Sequence, residues 1–346
     1  MHQPLSSELS VAVVILNWNG ASLLEEYLPS LVAHSTYDKC RLIVADNGST
    51  DQSKRVVDNF DTIEWLPLDK NYGFALGYNM ALQLINSDVY ILLNSDIRVS
   101  HRWLEPLMEV FNKQPEVGIL QPKILDDKRR DHFEYAGAAG GYLDSAGYPF
   151  CRGRIMDHIE KDTHQYDNTQ DIFWASGASL AIRSTLWHDL NGFDTIFWAH
   201  MEEIDLCWRA LNQGTTIKVE PQSRVFHLGG GSLPYGNPKK TYLNFRNNLF
   251  LLARNLHPKE WLYTLFIRMI LDGVASVIFL FTGEYKLIPS VLKAHRDFYL
   301  KLPSILRNRK DQTYKRKSDL PVFNGVIPLK SKLRSVTKFS QLHFKI

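Results

Sequence analysis

The feature that most constrains this chain is the alternation, over its first 125 residues, of short β-branched runs with amphipathic stretches. VAVVILN (11–17), RLIVADN (41–47), TIEWLPL (62–68), VYILLNSD (89–96) and VGILQPKIL (117–125) read as strands. Several are continuous apolar runs, the pattern of strands covered on both faces. Between them, 22–34, 51–60, 75–85 and 102–112 carry helical periodicity with polar or proline residues at their ends. Alternating units of this length predict an α/β fold with a Rossmann-like, right-handed, mostly parallel sheet and flanking helices. Ligands of such sheets bind beyond the C-terminal strand ends. Asn17, Asp46, Asn47 and Asp96 fall at those ends.

Beyond residue 125 the pattern loosens. Residues 126–171 read as a long loop with short strands, 174–183 and 215–221 as strands, and 203–213 and 242–254 as helices. The most apolar segment, 261–283, is interrupted by Arg268 and Asp272, and its longest uncharged run is 11 residues. A spanning helix wants about 20, so a buried or interfacial helix is expected. The i,i+4 spacing lets the two charges neutralise each other on one face. Residues 301–346 hold 12 Lys or Arg against 2 Asp, leaving the first 300 with 28 basic and 35 acidic groups. Such a tail suits an anionic surface such as the inner face of the cytoplasmic membrane, or is simply solvated. The mildly acidic body argues against nucleic acid as a partner. Three scattered cysteines form neither a disulfide framework nor a zinc site. MHQPLSSELS lacks a basic region followed by an apolar stretch, so a cytoplasmic location, with peripheral membrane contact, is the expectation. The organisation expected is a catalytic domain over 1–240, a C-terminal helical extension over 241–300 and a basic tail over 301–346.

Six segments carry candidate chemistry. NWNG (17–20) is a polar turn after a strand. In ADNGSTD (45–51), Asp46 can accept from a nucleobase or sugar hydroxyl, Asn47 lies beside it, and Asp51 belongs to a helix-capping set. NYGFALGYN (71–79) places Asn71, Gly73, Gly77 and Asn79 at a loop-to-helix junction, where glycines permit close backbone approach to phosphate. LLNSD (92–96) delivers Asn94, Ser95 and Asp96, with residues 94 and 96 on one side of a strand. Oxygen ligands there suit Mg²⁺ or Mn²⁺. In HMEEID (200–205), Glu202, Glu203 and Asp205 open a helix, where its dipole also favours them. VFHLGGGS (225–232) offers His227 as an imidazole ligand before glycines at 229–231 that read as a flap.

In order and spacing this set resembles the family 2 glycosyltransferases of the GT-A fold, over roughly residues 11–235. It is most similar to the bacterial branch that includes rhamnosyltransferases of surface-polysaccharide assembly. The resemblance implies an inverting transferase that moves a sugar from a nucleotide-sugar donor to a hydroxyl acceptor, a lipid-linked or surface glycan. It places the donor base at Asp46, a divalent cation at Asp96 with His227, and the catalytic base at Glu203 beside Glu202. Two departures stand out: Asn94 replaces the first Asp of the Asp-x-Asp motif, and the acidic pair is Glu–Glu rather than Glu–Asp. Trp174, Ser176 and Asp205 are candidate acceptor-site residues, and Arg152 and Arg154 candidates for an acceptor phosphate. A sugar nucleotidyltransferase and a non-catalytic nucleotide-sugar-binding protein are the competing readings. The first lacks the basic Gly-rich loop a triphosphate would need at residues 17–20.

Overall fold

The computed structural model describes residues 8–229, 237–309 and 313–344. The main sheet is built from β1 (Val11–Asn17), β2 (Cys40–Asp46), β3 (Ile63–Pro67), β4 (Val89–Leu93), β5 (Ile97–Val99) and β6 (Val117–Asp126). A second, five-stranded sheet opens with β7 (Gly141–Asp144), β8 (Pro149–Cys151), β9 (Arg154–Ile155) and β10 (His158–Ile159). The chain then returns to the main sheet as β11 (Gln170–Asp171), β12 (Ser179–Arg183) and β13 (Thr216–His227). The order is β11-β13-β6-β12-β4-β1-β2-β3, with β5 also on β13. Strands β4, β1, β2 and β3 run parallel, and β12 is antiparallel to β4 and β6.

Two cores follow from the period-2 geometry of the strands. Val11, Val13 and Ile15 face helices α1 (Ala21–His34), α2 (Ser53–Val57) and α4 (Leu104–Lys113). Ala12 and Val14 face α3 (Gly73–Leu82), α6 (Glu202–Asn212), α7 (Pro238–Asn255) and the second sheet. Short α5 (Ser184–Asp189) follows β12. Burial on both sides explains why these strands read as unbroken apolar runs.

The structure departs from the sequence expectations at four places. Strand β4 ends at Leu93 rather than running through Asp96, because the Asn94 amide bonds Ala178 and the chain bends so that β5 can pair with β13. Segment 174–183 is strand only from Ser179, since Ser176 turns away to bond the Ala136 carbonyl. Strand β13 runs to His227, past the expected end at 221, through a bulge between Glu220 and Arg224. The basic C-terminal segment is folded rather than solvated. Helix α9 (Ile288–Arg307) crosses the boundary expected at 300, β14 (Val322–Phe323) pairs with β7, and α10 (Ile327–Arg334) follows. Asp144 accepts from the Ile327 amide and Glu160 from the Phe339 amide. Phe323, Phe339 and Phe344 pack on Tyr142 and Phe150.

Helix α8 (Trp261–Phe281) is arranged inside out. Its buried residues are Thr264, Leu265, Arg268 and Asp272. Arg268 pairs with Asp272 at 2.7 Å, donates to Asn248 on α7 and lies 4.0 Å over the Tyr148 ring, while His295 on α9 meets Asp272 at 3.0 Å. Pairing on one face is as the spacing implied, but that face points inward.

Phe339 is buried in the aromatic cluster that joins the C-terminal segment to the second sheet. Phe339→Ala should lower unfolding stability by about 3–5 kcal/mol, the usual cost of a large aromatic cavity, read as a shifted denaturant midpoint.

Candidate functional site

The C-terminal ends of β1 and β2 are tied into one polar rim. Asn17 Nδ2 donates to Asp46 Oδ1 at 3.0 Å and to Ser49 Oγ at 3.1 Å, and the Ser49 amide donates to Asp46 Oδ2 at 3.0 Å. Asp46 is buried, yet each oxygen keeps a lone pair for a ligand. The buried Asn17 Oδ1 has no partner. A side chain at Gly20 would collide with it at 2.4 Å, so the turn after β1 needs glycine. Asn47 holds the next loop by accepting from the Tyr72 amide and donating to Asn71 Oδ1 and the Gly73 carbonyl. Gly73, at φ +75°, opens α3, while Gly77 seats that helix against Leu16 and Asn47. Asp51 is occupied by the Ala21 amide and by Ser53. Asn47, Asn71, Gly77 and Asp51 thus shape the rim through hydrogen bonds and packing.

Beside this rim lies a cavity of about 930 Å³. Asn94, Ser95, Asp96, Ser176, Glu202, Glu203 and His227 all line it. Strand pairing brings the first group together: β13 sets His227 opposite Ile97 on one side and Asp126 on the other. His227 Nε2 lies 3.2 Å from Asp96 Oδ1, and Nδ1 lies 3.3 Å from Glu134 Oε1, a charge contact without hydrogen-bond alignment. Burial opposes the imidazolium, but Asp96 and Glu134 outweigh it and raise His227 to about 10. A divalent cation seated there would take over the charge that the ring otherwise supplies, leaving the imidazole neutral and able to ligate. A separation of 3.2 Å is also close to that of two adjacent ligands around an octahedral ion with bonds of about 2.1 Å. Among the described residues no group of three or more His, Cys, Asp or Glu makes a metal cage. The set fits an ion held by two protein ligands and completed by substrate phosphate.

The acidic pair enters from another direction. Trp198, His200 and Met201 all have left-handed φ, at 52°, 66° and 76°, an arrangement that non-glycine residues adopt at a cost. Asn247 on α7 holds this loop by donating from Nδ2 to the carbonyls of Phe197, Ala199 and His200. Helix α6 then starts with Glu202 and Glu203, and Oε2 of each is buried without a hydrogen-bond partner. Burial raises both carboxyls, Glu203 to about 7, and the charge of Glu203 adds to the effect on Glu202. A carboxyl raised in this way is suited to accept a proton near neutrality.

Several expected residues stand elsewhere. Trp174 is buried under Gly141 with its indole N–H on the Tyr142 carbonyl. Asp205 sits wholly inside, paired with Arg209 at 2.7 Å and Arg254 at 3.0 Å, and accepts from Asn255. It anchors α6 to α7. Asn79 bonds both backbone groups of Phe193 and lines a separate cavity of about 540 Å³. Arg152 and Arg154 are buried against Tyr166 and Tyr135 in the second sheet. Of the expected glycine flap only Gly229 lies among the described residues, at the cavity wall. Glu134, Tyr135, Asp157 and His200, which line the cavity, are not among the site residues named from the sequence, although Glu134, Tyr135 and His200 fall within segments that it marks. Glu134 arrives through the isolated Leu125–Phe133 bridge, and local spacing does not encode such a contact.

Residues 12–173 match the family model Glycosyl transferase family 2. The chain is 24% identical over 234 residues to N-acetylglucosaminyl-diphospho-decaprenol L-rhamnosyltransferase of Mycobacterium tuberculosis, covering 62% of this chain and 75% of that protein. To rhamnosyltransferase WbbL of Escherichia coli it is 24% identical over 225 residues, covering 63% and 83%. S. aureus TarS 1–349 in complex with UDP-GlcNAc superimposes with a TM-score of 0.57 at 14% identity, over 87% of this chain and 84% of that one. The last likeness concerns the GT-A fold alone, whereas the family model runs through the strand tips bordering the cavity. Residues 12–173 therefore carry the pattern of glycosyl transferase family 2, and the chain is a glycosyltransferase.

Proposed function

We propose that this enzyme transfers a sugar, with inversion, from a nucleotide-sugar donor to a hydroxyl of a lipid-diphosphate-linked or surface-polysaccharide glycan. The observation that carries the reading is that Asp96–His227 and Glu202–Glu203 open onto one cavity. Inversion needs an acceptor base opposite the departing diphosphate, and one cavity lined by both sets provides for it. The mycobacterial relative, named for N-acetylglucosaminyl-diphospho-decaprenol, supports the acceptor class, and the TarS complex with UDP-GlcNAc supports the donor class.

In this reading Asp46 and Asn17 bind the nucleoside, and Asn94 and Ser95 face the donor sugar and phosphates. Asp96 and the neutral His227 ring would hold a divalent cation, Mg²⁺ or Mn²⁺, which when bound would supply positive charge to the leaving diphosphate. Glu203 takes the proton of the acceptor hydroxyl as its oxygen bonds the anomeric carbon and the carbon–diphosphate bond breaks. Glu202 lies beside it, buried at the start of α6. Ser176 lines the wall beside them. The exposed stripe of α8, with Tyr263, Phe266, Ile270, Val277 and Phe281, lies on the inner face of the cytoplasmic membrane. The helix has the length and apolarity to span, but its buried Arg268–Asp272 face is packed against α7 and α9, which favours an interfacial position.

Asp96→Ala should abolish turnover while leaving the circular dichroism spectrum unchanged; an active variant would refute its role. Glu203→Gln should lower kcat by about 10²–10⁴-fold with donor KM held. The base works ionised, so wild-type kcat/KM should fall as pH drops below about 7 and level off above it. In the Gln variant that acid limb should vanish. Phe266→Asp combined with Val277→Asp changes two exposed side chains. It should reduce co-sedimentation with anionic vesicles at least tenfold, and equal sedimentation would remove the membrane role of α8.

A further inference from the structure

A second groove, of about 520 Å³, lies between the start of α7 and α9, lined by Trp198, Lys239, Tyr242, Arg246 and Lys293 among others. Its cations converge from two helices on one apolar groove. Several buried cations elsewhere meet carboxylates, Arg209 and Arg254 with Asp205, Arg268 with Asp272 and Lys123 with Asp162, while buried Arg152 and Arg154 lie on Tyr166 and Tyr135. In the groove, aromatic faces take the place of carboxylates. Lys239 stands 4.4 Å over Trp198, Lys293 4.9 Å over Tyr242, and Arg246 5.2 Å over both Tyr242 and Phe250. Arg246 also donates to Asn247 Oδ1 and the Tyr242 hydroxyl. Asp297, the carboxylate bordering the groove, is engaged by the Tyr242 hydroxyl and by Arg296. Among the described residues, none of the three groove cations has an ion-pair partner within 4.0 Å. Three positive charges on apolar walls form a site for a compact, multiply charged anion.

Position specifies the anion further. The groove and the catalytic cavity share a wall. Trp198 and Lys239 line the groove, while their chain neighbours Ala199 and Lys240 line the cavity. Glu202 and Glu203 follow within five residues of Trp198. On its other side the groove is bounded by α9, where Leu292, Tyr299 and Leu300 are exposed and the Tyr299 hydroxyl reaches Met269 on α8. A ligand crossing this groove therefore meets, in order, an apolar helical surface, three cations and the carboxylates of the active site.

We infer that this groove binds the diphosphate of the acceptor, with its prenyl chain running out along the exposed α8–α9 face and its sugar reaching Glu203. The inference rests on the lipid-diphosphate acceptor proposed above and assigns to it residues outside the catalytic cavity. A bare phosphate would use the cations but not the apolar exit, and a prenyl alcohol would use only the exit.

The test is calorimetric titration of the full chain with farnesyl diphosphate in EDTA, so that cation-dependent binding at Asp96–His227 is silent. Lys239→Ala combined with Lys293→Ala replaces two exposed side chains and should not disturb folding. It should weaken farnesyl diphosphate at least tenfold, while Lys113→Ala, on the far helix α4, has no effect. Wild type should bind farnesol and inorganic diphosphate each at least tenfold more weakly. Unchanged affinity in the double variant overturns the groove. Farnesol binding as tightly as farnesyl diphosphate overturns the role of the cations, and equal inorganic diphosphate overturns the lipid source. Failure of the acceptor class reads differently: wild type then transfers no sugar to a prenyl-diphosphate-linked acceptor, whatever the titrations give.

Discussion

The pairing of one twelve-residue strand, β13, underlies both the fold and its chemistry. Along β6 it extends the main sheet; at its end it also takes β5, so that His227 is held between Ile97 and Asp126. The metal-site candidates Asp96 and His227 are 131 positions apart and meet only because two backbones are in register. A one-residue slip would turn His227 to the other face of the sheet. The bulge between Glu220 and Arg224 absorbs the mismatch that would otherwise spread into that register.

The acidic pair depends on a different kind of constraint. Asp205, three residues beyond Glu202, is bound by Arg209, Arg254 and Asn255, and Asn247 fastens the loop just before. Both ties run to α7, which also supplies Lys239 and Arg246. Helix α7 thus holds the acidic pair on one side and the cationic groove on the other.

How much of this was legible in sequence follows the range of the interactions. β1 was read at its observed ends and β2 within one residue, because a strand covered on both faces announces itself by composition. The acidic pair and Asp96 stand out because each sits in an ordered set of motifs, and all three line the one cavity. Asn79, Trp174 and Asp205 were taken for ligand contacts, but a polar or aromatic residue next to a motif serves equally well as an internal tie. Here Phe193, Tyr142 and Arg209 claim them. The inside-out character of α8 was half visible: the i,i+4 pair is in the sequence, but the partners that draw it inward, Asn248 and His295, come from other helices. The basic C-terminal segment misled by its charge, since its phenylalanines decide its fate.

The closure of the second sheet has a consequence for biosynthesis. Its strand β7 is made early, yet the neighbour that completes it, β14, lies about 180 residues later, where Ser145 meets Gly325. Contacts this distant carry a high loop-closure cost and form late. The main sheet can assemble while the ribosome is still at work, but one wall of the cavity, carrying Glu134 and Tyr135, borders a layer left unroofed until residues 320–344 emerge. A stalled or clipped chain would therefore retain its main sheet with an unfinished opposite flank, and its exposed aromatic surface would be prone to aggregate.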